Sequence, residues 1–180
     1  MASEFQRRKI AGVFEAMDTD GDGFLREGDF ATLTDRWITI RGTDDRARLT
    51  SIMMGWWGTL HAVAHPDGDV RDEKVTLDDV MAVVDRLGAM PDAVTGTADA
   101  MFEAIDENRD GRISGAEYNR LIEAWNGCPT DTDAVFPLLD LDGDGHLSRV
   151  EFVQLWTEFW VGDDPEEPGT WVFGDFTMAA

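Results

Sequence analysis

Apolar residues recur at helical spacing in three separate stretches of the chain. Ile10, Val13, Phe14 and Met17 fall at i, i+3, i+4 and i+7, as do Ala98, Met101, Phe102 and Ile105, and again Phe152, Leu155, Trp156 and Phe159. That spacing gathers the apolar side chains on one stripe of an α-helix and leaves the other face polar. A further stretch from Asp44 to Ala64 carries Ile52, Met53, Trp56, Trp57 and Leu60 and predicts a longer helix. Between Gly88 and Thr97, the residues Gly88, Pro91 and Gly96 interrupt the pattern and break any continuous central helix. The pattern predicts an all-α chain whose two halves fold onto each other.

Between these helices, carboxylates stand at fixed spacing. Three segments share it: Asp18 to Gly23, Asp106 to Gly111 and Asp140 to Gly145, each with oxygen-bearing side chains at positions 1, 3 and 5 and glycine at 6. An aliphatic residue follows at position 8 (Leu25, Ile113, Leu147) and an acid at 12 (Asp29, Glu117, Glu151). Alternate residues of a tightly curled loop point inward, so three short side chains converge on one point. Glycine at 6 takes the conformation that turns the loop, the carbonyl at 7 faces inward, and the acid at 12 closes the shell from the next helix. The spacing is that of the EF-hand loop.

The candidate ligands follow position by position. The first loop offers Asp18, Asp20, Asp22, the carbonyl of Phe24 and Asp29. Its counterpart at 106–117 offers Asp106, Asn108, Asp110, the carbonyl of Arg112 and Glu117, and the last offers Asp140, Asp142, Asp144, the carbonyl of His146 and Glu151. Hard oxygen donors in this number select Ca²⁺ or Mg²⁺. Ser114 and Ser148 stand at position 9, where a water is usually held, whereas the first loop has Arg26 there. Asp29 is also one methylene shorter than glutamate. The first site is therefore expected to be the weakest for Ca²⁺ and the most open to Mg²⁺.

EF-hands pair at position 8, so a partner for Leu25 is expected between the first two loops. Val75 at position 8 and Asp79 at 12 supply the end of such a hand. Counting back places Gly68, Val70, Asp72 and Glu73 at positions 1, 3, 5 and 6; a frame starting at Asp67 and Asp69 puts Arg71 and Asp72 at 5 and 6 instead. Either way the ligand set fails. This second hand is expected to pair Val75 with Leu25 and to bind no metal. The expected organisation is a first pair of hands over 1–87, a bent linker over 88–97, a second pair over 98–161 and a C-terminal tail over 162–180 packing on the core.

Active first, third and fourth hands, a degenerate second and a bent linker resemble the sarcoplasmic calcium-binding proteins and their bacterial relative calerythrin. The ending resembles them too, with Phe159-Trp160-Val161-Gly162-Asp163-Asp164-Pro165 leading to Pro168-Gly169-Thr170-Trp171-Val172-Phe173-Gly174. The resemblance implies four helix-loop-helix hands in two pairs forming one compact globule, with Ca²⁺ buffering as its usual role. It also implies that the tail residues Trp171, Val172, Phe173 and Phe176 cover apolar surface. Pro137, in the helix before the fourth loop, departs from the pattern unless it sits in the first turn.

Charge narrows the partners. The 15 Lys and Arg stand against 37 Asp and Glu, a formal net charge of −22 in 180 residues. Phosphate recognition needs clustered cations, so nucleic acid is excluded and cations or a basic protein target are favoured. At 43% hydrophobic the chain is too apolar for a disordered acidic tail. A single cysteine, Cys128, allows no internal disulfide. No apolar run spans a bilayer and no secretory signal is visible at the N-terminus, so a cytoplasmic monomer is expected. No nucleophile with its base is visible, and catalysis is not expected. Two alternatives to a buffer stay open: a sensor that exposes a groove to a protein target, and a carrier of a small ligand like the coelenterazine photoproteins. The photoproteins pair His, Trp and Tyr in their cavity, whereas Tyr118 is the only tyrosine here and Trp156 stands where a histidine is wanted.

Overall fold

Each helix that leads into a loop ends on that loop's first aspartate. In a computed structural model describing residues 3–41, 46–68, 74–127 and 129–173, the backbone N–H of Asp18, Asp106 and Asp140 donates to the carbonyl of Phe14, Phe102 and Phe136. The helices, in chain order, are α1 (Glu4–Met17), α2 (Glu27–Arg41), α3 (Arg46–Ala64), α4 (Leu77–Leu87), α5 (Pro91–Ile105), α6 (Gly115–Asn126), α7 (Phe136–Leu139) and α8 (Arg149–Val161). Two short strands, β1 (Arg112–Ser114) and β2 (His146–Ser148), precede α6 and α8, and a 3₁₀ turn covers Pro168–Trp171.

The helices α4, α6 and α8 start on capping boxes. Thr76 with Asp79, Ser114 with Glu117 and Ser148 with Glu151 each exchange side-chain and backbone hydrogen bonds, satisfying donors that the first turn leaves free. The position-12 acid thus starts a helix as well as facing the loop.

The hands pair as expected. Leu25 and Val75 form an isolated antiparallel bridge, with both N–H···O distances at 2.9 Å. β1 and β2 pair over three residues, with Ile113 opposite Leu147. All four of these side chains are fully buried. Contacts of α2 with α6, of α3 with α5 and of α4 with α8 join the halves into one globule.

The break between the halves is shorter than the sequence pattern implied. Pro91 begins α5, so residues 91–97 are helical, Gly96 included, and only Gly88–Met90 interrupt the chain. Proline at the first helical position lacks only an N–H that has no partner there, so it starts this helix instead of breaking it. Pro137 likewise sits in the first turn of α7, which is a single turn long. The long helix expected from Asp44 is α3, beginning at Arg46; residues 44 and 45, Cys128 and Phe176 lie outside the described residues.

The core is aromatic. Trp156, Tyr118, Phe30, Phe102, Phe152 and Phe159 are almost wholly enclosed, and Trp56 stands edge-on to both Trp156 and Trp160. The tail packs on this cluster: Phe173 meets Trp125, Trp156 and Phe159, and the Tyr118 hydroxyl lies 3.1 Å from the carbonyls of Trp171 and Val172. At the far end of α8, Lys9 from α1 donates to the carbonyls of Glu158 and Gly162. Burial pushes the Lys9 ammonium down to about 8, against the upward pull of Glu167, Asp163 and Glu158.

Candidate metal centres

Short-range turn chemistry builds each loop. In the first, Asp20 and Asp22 accept from the backbone N–H two residues on, and Asp18 accepts from Asp22 and Gly23. The third repeats this with Asn108, Asp110 and Asp106, and the fourth with Asp142, Asp144 and Asp140. Such Asx turns curl the chain without any partner from elsewhere. Glycine at position 6 has φ of +82° to +85° in all three loops (Gly23, Gly111, Gly145), a region that side chains resist.

The result is convergence. Carboxylate oxygens of Asp18, Asp20 and Asp22 lie within 4.8 Å of one another, and so do those of Asp140, Asp142 and Asp144. In the third loop Asn108 replaces one carboxylate of the same arrangement. The position-12 acids are buried beneath. Each bridges the N–H of position 2 and of position 9: Asp29 takes Thr19 at 3.0 Å and Arg26 at 2.8 Å, Glu117 takes Glu107 at 2.6 Å and Ser114 at 2.9 Å, and Glu151 takes Leu141 at 2.8 Å and Ser148 at 2.9 Å. Asp29 makes this bridge despite its shorter side chain, and adds a 2.7 Å bond from the Thr19 hydroxyl.

Like charges crowd these loops. The Asp144 N–H pulls the Asp142 carboxyl down, but partial desolvation and the neighbouring charges of Asp144 and Glu151 leave it above the ordinary value. A divalent cation among these oxygens removes that repulsion. All-oxygen donors on a flexible loop suit Ca²⁺.

The first loop differs. The Arg26 guanidinium donates to Asp22 at 2.9 Å and holds that carboxyl below its usual range. Sequence reasoning placed Arg26 at position 9 but missed the pair, although its i, i+4 spacing to Asp22 was the signal. In the second hand, Asp79 caps Thr76 with bonds of 2.8 and 2.7 Å, the same service that Glu117 and Glu151 give. Of its expected loop, Gly68 lies in a turn after α3, with its N–H donating to His65; Asp69, Val70, Arg71, Asp72 and Glu73 lie outside the described residues.

Comparison with known proteins agrees with this geometry. Residues 97–157 match the family described as EF-hand domain pair, and residues 10–25 match EF hand. The chain carries calcium-binding EF-hands. Its fold is shared with the sarcoplasmic calcium-binding protein from amphioxus (TM-score 0.70, 17% identity, covering 98% of this chain and 100% of that one). A Streptomyces coelicolor calcium-binding protein is also similar (0.67, 23%, 88% and 99%), as is the calcium-loaded apo form of the coelenterazine-binding protein from Renilla muelleri (0.69, 19%, 97% and 99%). No curated protein matches this EF-hand protein in sequence. Among the described residues no helix is long and apolar enough to cross a membrane.

Proposed function

We propose that this EF-hand protein is a cytoplasmic, monomeric Ca²⁺ buffer, filled at its first, third and fourth hands and not a catalyst. Asp18, Asp20, Asp22, Phe24 and Asp29 hold one ion; Asp106, Asn108, Asp110, Arg112 and Glu117 a second; Asp140, Asp142, Asp144, His146 and Glu151 a third. The residues at position 7 contribute carbonyls. Mg²⁺ competes most at the first hand, where Arg26 already engages Asp22. The second hand binds no metal and serves to pair Val75 with Leu25.

The observation that carries the buffer reading is the tail seated on the aromatic core. Phe173 is buried against Trp125, Trp156 and Phe159, so the chain's own tail occupies aromatic surface that a sensor would offer to a target. Met17, Met53, Met81 and Met101 are buried rather than arrayed on a groove. The sensor reading stays second, supported by the Streptomyces coelicolor protein's part in calcium-mediated regulation.

Calorimetric Ca²⁺ titration over ~1 mM Mg²⁺, followed also by a hydrophobic dye, separates the two. A buffer takes up three ions with no new dye-binding surface. Dye binding that rises with Ca²⁺ would replace the buffer by a sensor, and a stoichiometry of two would remove the first hand from the set.

A further inference from the structure

A cavity of about 460 Å³ opens between the two pairs of hands, within the roughly 300–1,000 Å³ range of sites for small organic molecules. Its inner wall includes Phe14, Met17, Trp56, Trp156 and Trp160. Among the described residues no charged side chain lines it, although the protein as a whole carries −22. Protein interiors pack to crystal-like density, and an apolar wall holds water poorly, so a space of this size is suited to an apolar guest.

One of the lining residues also carries an unmet polar group. Trp156 Nε1 donates to the Thr97 hydroxyl at 3.2 Å, and that hydroxyl donates to the Val94 carbonyl. Trp160, which is 6% exposed, has no such acceptor: its buried Nε1 makes no hydrogen bond. A buried donor without a partner is costly, and a guest with an acceptor oxygen would satisfy it.

Small residues form the mouth. Gly55 on α3 and Gly96 on α5 are exposed lining residues, and a Cβ added to either meets no atom within 4 Å. The opening is therefore kept by what these two helices lack.

We propose that the cavity is a binding site for a neutral, largely apolar small molecule bearing a hydrogen-bond acceptor, which docks on Trp160 Nε1 and enters between α3 and α5. Among the described residues no titratable side chain lines the cavity, so the guest is held and released unchanged. The site is independent of the metal assignment.

The test is titration with Nile red, a neutral dye with a ring carbonyl, in Ca²⁺ and again in EDTA. Saturable one-to-one binding is expected in both states, so that it adds no Ca²⁺-dependent dye signal. Gly55→Leu and Gly96→Leu narrow the mouth, and each is expected to weaken binding at least tenfold while the thermal midpoint holds or rises, since leucine favours helix more than glycine does. Trp160→Phe keeps an aromatic, though smaller, side chain and removes the donor, with an expected loss of about fivefold. Dye binding unchanged by both glycine variants would place the dye elsewhere and overturn the proposal, as would the absence of saturable binding. A Trp160→Phe protein that binds as tightly as the parent would overturn the acceptor requirement.

Discussion

The two pairs of hands solve the same problem with different completeness. In the second pair, both loops end in glutamate, both carry a serine capping box, and three residues on each side join as β1 and β2. In the first pair a single bridge joins Leu25 to Val75, the acid at position 12 is aspartate, and arginine replaces the serine. The loops of the two pairs thus differ in their bridge, in the acid at position 12 and in the residue at position 9. A hand can keep its place in the fold with only its bridge residue and its helix-capping acid, as Val75 and Asp79 do. On the proposed reading metal binding asks for more: oxygen side chains converging from positions 1, 3 and 5 as well.

The largest expected effect is at the fourth loop. Glu151→Gln removes a ligand charge and sets an amide NH₂ against the N–H of Leu141 or Ser148. Ca²⁺ affinity there should fall about a hundredfold, or ~2.8 kcal/mol, and the calorimetric count should drop from three to two. Asp29→Asn in the first loop should cost less, because Arg26 already engages Asp22 there. Equal losses at the two positions would erase the contrast between the pairs.

The converse change should improve the weaker pair. Arg26→Ser frees Asp22 and supplies the side chain that caps α6 and α8 in the second pair. Ca²⁺ affinity at the first hand should rise about tenfold, or ~1.4 kcal/mol. Stability without metal should barely move, because such exposed ion pairs are worth about 0–1 kcal/mol. An unchanged affinity would shift the blame from Arg26 to the short reach of Asp29, and Asp29→Glu would then be the variant to titrate.

The loops were legible in the sequence because their geometry is local: Asx turns, glycine at position 6 and an acid twelve residues from the start need no distant partner. The bridge between Leu25 and Val75 was legible because pairing at position 8 tolerates the loss of ligands. What escaped depends on context. Pro91 and Pro137 signal a break when read alone, yet each begins a helix, and only the flanking chain decides which. The pair between Arg26 and Asp22 needed a side-chain direction as well as a spacing. The cavity belongs to no single segment, since its wall joins α1, α3, α4, α5 and α8, and periodicity along any one helix is blind to it.

A smaller difference lies within the second pair itself. At position 4, the first and fourth loops have Gly21 and Gly143 with φ of +70° and +73°, but the third has Arg109 at +57°. A side chain in this left-handed region costs about 1–2 kcal/mol relative to ordinary backbone. Glycine removes that strain and returns part of the gain by widening the unfolded ensemble. Arg109→Gly should therefore stabilise the metal-free protein by about 0.5–1 kcal/mol, a rise of roughly 1–4 °C in the thermal midpoint for a chain of this size. Its Ca²⁺ count should stay at three, because position 4 supplies no ligand. A lower midpoint would mean that contacts of the Arg109 side chain outweigh its backbone strain, and that the third loop departs from its two counterparts for the sake of those contacts.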